Sequence, residues 1–367
     1  MSRIVTILPK GEGFSPQRFG AIALCARDFT RHSRFSATTT IIGGMAGGFD
    51  GVCYVTPPSA RWFENRTLAY ARGCVDIIRR EQADLAEIHN RPLLLRLIAQ
   101  KVSCKLALHL HNDPQEMDEA RAPEERMRLL ARCGGIYCVS AFVRERFLEG
   151  LPADVGEKLS VIHNGIAIPD TLPPKENLIV FAGRMTEGKG VLLLAEALRI
   201  ALPQLPRWQA VMVGSRRHEA GRALTSYEKQ IAAALAPLAS QVTLAGFLSH
   251  EETLAAFGRA AVAAVPSVWA EPFGRTALEA MAYGCAVISS GSGGLREVTG
   301  DAALNLPQMT PKAWAGAILA LARDDDLRAS YARLGRERAL HFAIDARARA
   351  LDDARNRILQ RGARHAL

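Results

Sequence analysis

The chain has 367 residues, of which 49% are hydrophobic and 23% charged, and a formal net charge of +9. That length exceeds one ordinary core and argues for two domains, and the composition is globular rather than disordered or fibrous. The apolar runs are too short and interrupted to span a bilayer. The basic balance admits phosphorylated ligands and an anionic membrane surface, while the few aromatics do not interleave with basic residues as nucleic-acid binding would require.

The first element is "RIVTILP" (3–9), a strand-length apolar run that enters the glycine loop "PKGEGFSPQRFG". It reads as a strand and not as a leader. "FGAIALCARDF" then reads as a helix whose free N–H groups could hold an anion, although glycines 11, 13 and 20 do not make a G-x-G-x-x-G fingerprint. Further strands are expected at 37–44, 85–90, 105–111, 135–140 and 158–165, with helices such as 65–81 and 141–149 between them. "IAIPDTLPPKEN" (166–177) has three prolines and no period, so it reads as a linker. After it the pattern restarts, with strands at 178–185, 208–215, 242–248, 261–267 and 285–291 and helices at 190–202, 223–239 and 250–260. The segment 326–360 is helical and rich in Ala, Arg and Leu.

Strands that alternate with helices imply parallel sheets. We therefore expect an α/β fold of two doubly wound Rossmann-like domains facing across a cleft. The first covers 1–170, the second 171–344, and a C-terminal helix at about 345–367 packs back on the first. The seven cysteines form no C-x-x-C pair, which suits reduced thiols in a cytoplasmic protein. Basic residues are spread out, with only short clusters such as Arg216-Arg217.

Ligands of open α/β sheets sit beyond the C-terminal ends of the strands. In "FAGRMTEGKGV", Arg184 and Lys189 lie on such a loop, and Gly183, Gly188 and Gly190 let the backbone approach a ligand. Two cations there suit a diphosphate, unless they are merely solvated. In "VWAEPFGRTALEAMAYG", Glu271 precedes a helix and Glu279 lies in its first turns. Carboxylates accept hydrogen bonds from vicinal sugar hydroxyls, and Gly274 leaves room beside the helix N-terminus. A plainer reading of Glu279 is a capping box with Thr276. "DDD" at 324–326 reads as a surface loop or helix cap, not a metal site.

Together these segments resemble the retaining glycosyltransferases of family 4, which have the GT-B fold. The resemblance rests on E-x7-E from Glu271 to Glu279, on "GRMTEGKG", on "VIHNGI" before the linker, and on "GSGGLREV" (291–298), in that order. It implies a metal-independent retaining transferase that moves a hexose or N-acetylhexosamine from a nucleotide-diphosphate sugar to a glycan or lipid-linked acceptor. It implies no cofactor and no metal; the nucleotide sugar is the substrate, with a uridine nucleotide slightly favoured over a guanosine one. By position, Glu279 would bind the ribose. Glu271, with the backbone of Phe273 and Gly274, would hold the donor sugar. Arg184 and Lys189 would stabilise the leaving diphosphate, with Gly183 beside them and Gly20 approaching from the first domain. His111 would face the reacting sugar, and His89 is a candidate on the acceptor side. His109 is expected to point to the opposite face of its strand from His111. Cell-surface polysaccharide or lipopolysaccharide synthesis would suit such an enzyme, in the cytoplasm or peripherally on the inner face of the membrane, with no nucleic acid as partner. Departures from the family are Arg275 where an aliphatic residue is common, Ala167 where "NGID" is common, and a single glycine before "AIAL". Two alternatives remain: an inactive GT-B binding protein, and a soluble transferase like sucrose or glycogen synthases.

Overall fold

The computed structural model describes residues 2–60, 62–215 and 224–360. Arg216-Arg217 and residues 361–367 of the expected C-terminal helix lie outside them. The chain divides into two compact units. Unit 1 comprises the residues up to Gly165 together with those from Ile344 on, and unit 2 comprises Ile166–Ala343.

Unit 1 contains β1 (Ile4–Ile7), the short hairpin β2 (Phe14–Ser15) and β3 (Arg18–Phe19), β4 (Thr39–Ile42), β5 (Cys53–Val55), β6 (Leu85–His89), β7 (Lys105–Leu110), β8 (Gly135–Cys138) and β9 (Leu159–Val161). Its first five helices are α1 (Ala21–His32), α2 (Arg66–Arg80), α3 (Pro92–Ala99), α4 (Pro123–Arg132) and α5 (Ala141–Leu148). Seven strands form one sheet in the order β5-β4-β1-β6-β7-β8-β9, and the paired strands are parallel. The inner strands are buried on both faces, as in a sheet covered by helices on both sides. The order reverses direction between β1 and β6, which opens a crevice above their C-terminal ends.

Unit 2 repeats the design with β10 (Glu176–Ala182), β11 (Gln209–Val213), β12 (Val242–Gly246), β13 (Ala260–Val265), β14 (Ala286–Ser289) and β15 (Leu304–Asn305). Its helices are α6 (Val191–Ala201), α7 (Ser226–Leu235), α8 (His250–Arg259), α9 (Arg275–Ala282), α10 (Gly294–Thr299), α11 (Pro311–Arg323) and α12 (Asp325–Leu340). The parallel order is β12-β11-β10-β13-β14-β15, so here the crevice opens between β10 and β13. The Asp324 side chain accepts from Leu327 N at 2.8 Å and caps α12, so the "DDD" run is a helix start.

The segment expected as one helix from 326 breaks at 341–343, and its two halves go to different units. Helix α12 packs on α9 and β14. The final helix, α13 (Ile344–Gln360), packs on α1 and belongs to unit 1. Ile344, Ala348, Leu351 and Ile358 recur at helical spacing and join the core around Ile4, Phe29, Leu85 and Tyr137. A Cβ on Gly134 would sit 2.7 Å from Ile358, so a glycine there lets α13 lie close to the sheet. The edge strand β5, the β2–β3 hairpin and β15 were not expected from the sequence, because two or three residues carry no readable period. No helix among the described residues is long and apolar enough to cross a membrane.

Candidate active site

In unit 2 the loops after β10 and β13 meet above the crevice. Gly190 makes this possible. It is left-handed at φ 65°, and a Cβ there would lie 1.9 Å from the carbonyl oxygen of Pro266. Val268 N donates to Gly188 O at 2.9 Å, so the two loops are zipped together. Lys189 Nζ thereby reaches Glu271 Oε1 at 2.5 Å, and Ser267 Oγ donates to the same oxygen at 2.5 Å. Glu271 is buried, and a bridge to Gly293 with a Gly294 N–H donating to Glu271 O fixes its backbone. Both donors fall on Oε1 of the carboxylate.

Helix α9 starts just beyond. Gly274 is its N-cap at φ 102°, and a Cβ there would meet Leu295 Cδ1 at 2.5 Å. The N-cap glycine contributes no side-chain cap, and the positive end of the α9 dipole lies here. The expected Thr276–Glu279 capping box does not form, because Thr276 already lies inside the helix. Glu279 is buried, and its Oε1 receives Arg275 Nε at 2.8 Å and lies 2.9 Å from His250 Nε2. Burial alone would raise this carboxyl, but Arg275 and His250 outweigh it and hold Glu279 below the ordinary carboxylate value. The departure at Arg275 therefore has a local role: it neutralises Glu279 one helical turn away. His250 was missed in the sequence. The readable signal was Ser249-x-x-Glu252, a capping box that sets His250 at the first position of α8.

Gly183 lies beside this crevice, donating its N–H to Val213 O at 3.0 Å. Phe273 is buried and packs edge-on against Phe342, so its side chain is core and only its backbone faces the loop. Arg184 is exposed, and its side chain makes no hydrogen bond or ion pair among the described residues; it contacts neither carboxylate.

Gly20, His89 and His111 lie in unit 1. Gly20 precedes α1, and its place is set by an internal anion: Glu12 Oε1 accepts from Ala23 N at 3.2 Å, and a Cβ on Gly20 would lie 2.3 Å from that oxygen. The start of α1 thus carries the chain's own carboxylate where the sequence suggested a diphosphate.

His89 ends β6 and His111 follows β7. His89 Nδ1 and His111 Nε2 lie 2.9 Å apart. His109 does not point away, as expected, but shares their face. Residues two apart on a strand point the same way, and the His109 and His111 rings lie 4.4 Å apart. Asn90, at φ 57°, accepts from His111 N at 3.0 Å and Asn112 N at 3.2 Å, and so holds the turn. Asn90 and Asn112 line a pocket of about 490 Å³ over the crevice, with Lys10, Gly11, Thr67, Tyr70 and Arg91.

Nitrogens of the three rings lie within 4.8 Å of one another, a donor set that a borderline-soft divalent cation would use. His89 and His111 are, however, already bonded to each other, and Arg355 places positive charge close enough to depress His89. The trio is better described as a neutral cluster. Burial, with Arg355 adding to it, lowers His89 to about 3, and burial with the neighbouring rings holds His109 and His111 well below their usual value. In the unfolded chain all three protonate near pH 6.5. Stability is therefore full above that pH and falls as pH drops toward 3, by up to about 1.4 kcal/mol per pH unit for each ring. Both His109 nitrogens are buried without a partner among the described residues. His109→Phe should leave stability at neutral pH intact and flatten its fall from about pH 7 to about pH 5; an unchanged slope in denaturant titrations would rule out this account.

Two family models match the chain in tandem: "Glycosyltransferase Family 4" over residues 44–168 and "Glycosyl transferases group 1" over 167–338. Among curated relatives, the putative glycosyltransferase YtcC of Bacillus subtilis is 26% identical over 275 residues, which cover 68% of this chain and 63% of that protein. The lipopolysaccharide 1,2-N-acetylglucosaminetransferase of Salmonella typhimurium is 26% identical over 66% of this chain and 64% of its own length. The match thus spans less than two thirds of either relative. Among solved structures, Anabaena HepE in complex with UDP and glucose superposes with a TM-score of 0.76 at 18% identity, covering 97% of this chain and all of that one. Sucrose-phosphate synthase from Thermosynechococcus elongatus gives 0.77 at 19%, covering 97% and 99%. At these identities the superpositions speak to the fold alone, two Rossmann-like parallel-sheet domains of the GT-B type.

Proposed function

The chain belongs to the glycosyltransferases of family 4 and group 1, and from that premise we propose that it transfers a hexose or N-acetylhexosamine, with retention, from a nucleotide-diphosphate sugar to a glycan or lipid-linked acceptor. The observation that carries this reading is the pair of buried carboxylates in unit 2, each with one oxygen held by protein donors. Glu279 accepts from the ribose hydroxyls and Glu271 from hydroxyls of the donor sugar. Arg184, Lys189 and the positive N-terminal end of α9 offset the charge that develops on the leaving diphosphate, with no metal ion required. A cation that already touches Glu271 is poised to turn to the diphosphate when the sugar takes over that carboxylate. The acceptor occupies the unit 1 pocket beside His111 and His89. The UDP complexes of HepE and the Salmonella N-acetylglucosaminyl transfer support a uridine donor and cell-surface glycan synthesis.

The test is thermal unfolding against UDP, GDP and ADP and their sugar conjugates. A nucleotide at a hundred times its dissociation constant should stabilise the protein by about 2.7 kcal/mol. In Glu279→Ala, which removes a charged acceptor worth ~1.5–3 kcal/mol, affinity should fall ~10–100-fold, and at the same nucleotide concentration the stabilisation should shrink to about 0.4–1.4 kcal/mol. A shift that stays at its native size in the variant, or none with any nucleotide in the native protein, would overturn the donor-site assignment.

A further inference from the structure

Apolar side chains on a soluble surface are normally dispersed, but unit 1 gathers three large ones at one tip. Trp62 is 96% exposed, Phe63 68% and Leu68 53%. They sit where the chain turns into α2, and Asn65 fixes that turn by accepting from Thr67 N at 2.9 Å and Leu68 N at 3.2 Å. The Trp62 and Phe63 rings meet edge to face, 5.7 Å apart at 89°. They make a projecting wedge and not a common flat face on which a sugar ring would stack.

The flanks are basic. Residues 57–80 carry five arginines against Glu64 and Asp76, an excess of three positive charges. Arg66, Arg72, Arg79 and Arg80 are exposed, Arg72 being paired with Glu64 and Arg80 with Glu81. Leu68, Arg72, Asp76 and Arg79 follow one another at spacings of three and four along the outer face of α2, while its inner face, including Tyr70, Cys74 and Ile78, is buried. An amphipathic tip with Trp and Phe, backed by arginines, matches the boundary between acyl chains and anionic headgroups. The exposed apolar area of the three side chains is on the order of 500 Å². That falls short of the ~800 Å² per partner that a stable protein interface buries.

We propose that the Trp62–Phe63 tip, with Leu68 and the arginine face of α2, docks unit 1 on an anionic lipid bilayer. Thr67 and Tyr70 of the same helix line the unit 1 pocket, so docking sets that pocket at the headgroup level. The inference deepens the proposed function, on which it rests, by making the acceptor one presented at a bilayer surface.

The experiment is co-sedimentation of the whole protein with phosphatidylcholine vesicles, with and without phosphatidylglycerol. The native protein should pellet with the anionic vesicles, lose that binding as salt rises, and ignore phosphatidylcholine alone. Trp62→Ser with Phe63→Ser should reduce anionic-vesicle affinity at least tenfold, and Arg66→Glu should weaken it in the same direction. All three residues are exposed, and unchanged melting temperatures would show that the variants fold. Binding that survives in the double variant, or an absence of binding to either vesicle, overturns the docking surface. So does a native protein that is a dimer in solution and becomes a monomer on Trp62→Ser/Phe63→Ser, because a second copy then covers the tip. The nucleotide-dependent thermal shift is read on the same samples. Its loss with vesicle binding intact would count against the transferase reading and leave the docking surface standing.

Discussion

Arg355→Met should cost about 3–5 kcal/mol of unit 1 stability, the loss expected when one partner of a buried ion pair is removed. Arg355 is 2% exposed on α13 and meets Glu87 of β6 through two parallel bonds, Nε to Oε1 at 2.9 Å and Nη2 to Oε2 at 2.6 Å. Its Nη1 also donates to Ser33 Oγ and Asp352 Oδ1, both at 3.1 Å. Burial by itself would lower the guanidinium, but the two carboxylates outweigh it and hold it charged. Without it, Glu87 keeps, among the described residues, only Thr6 Oγ1, at 3.5 Å, while Asp352 retains Ser33 and the Arg34 N–H. Glu87→Leu combined with Arg355→Met should recover much of the loss, since an apolar pair needs no compensating charge. Denaturant unfolding that resolves the two units measures this. A loss below about 1 kcal/mol in the single variant would mean that apolar packing alone holds α13.

Glu271→Gln should lower turnover about a hundredfold to a thousandfold, equivalent to about 2.7–4 kcal/mol, while nucleotide affinity changes little. The carboxylate is the common acceptor for Lys189 and Ser267, so the neutral amide loosens the lysine and weakens the hold on a sugar hydroxyl. Ser267→Ala removes one donor only and should fall between the variant and the native protein. Steady-state kinetics beside nucleotide titration separates the roles. Equal losses in turnover and nucleotide binding would assign Glu271 to the nucleotide and not to the sugar.

Elements of ordinary length were legible because each is one apolar run or one apolar stripe. "AAVAAV" is buried along its whole length, and 66–80 shows its helical face plainly. Lys189 and Glu271 could be marked separately as loop residues after strands. Their contact could not be read, because it spans 82 residues and depends on Gly190 fitting beneath Pro266. Arg355 and Glu87 lie 268 residues apart, and no local period relates them. The misplacement of His109 had a different origin. The strand period of two sets it beside His111, and only a miscount of that period separates them. Glu12 at the head of α1 was hidden because a glycine-rich loop suggests a vacancy for a ligand and says nothing of which side chain folds back into it.

The membership of α13 in unit 1 has a consequence for synthesis. Unit 1, whose strands all precede unit 2, is completed by α13 only after some 180 residues of unit 2 have been made. At ~5–20 residues per second, that is a wait of roughly 10–40 s. During it, the groove that receives Ile344, Leu351 and Ile358 is open and the Glu87 carboxylate lacks its cation. Unit 2 can close on the ribosome as a continuous segment, whereas unit 1 must remain a nearly finished domain with an exposed seam. The half begun first is therefore the half finished last.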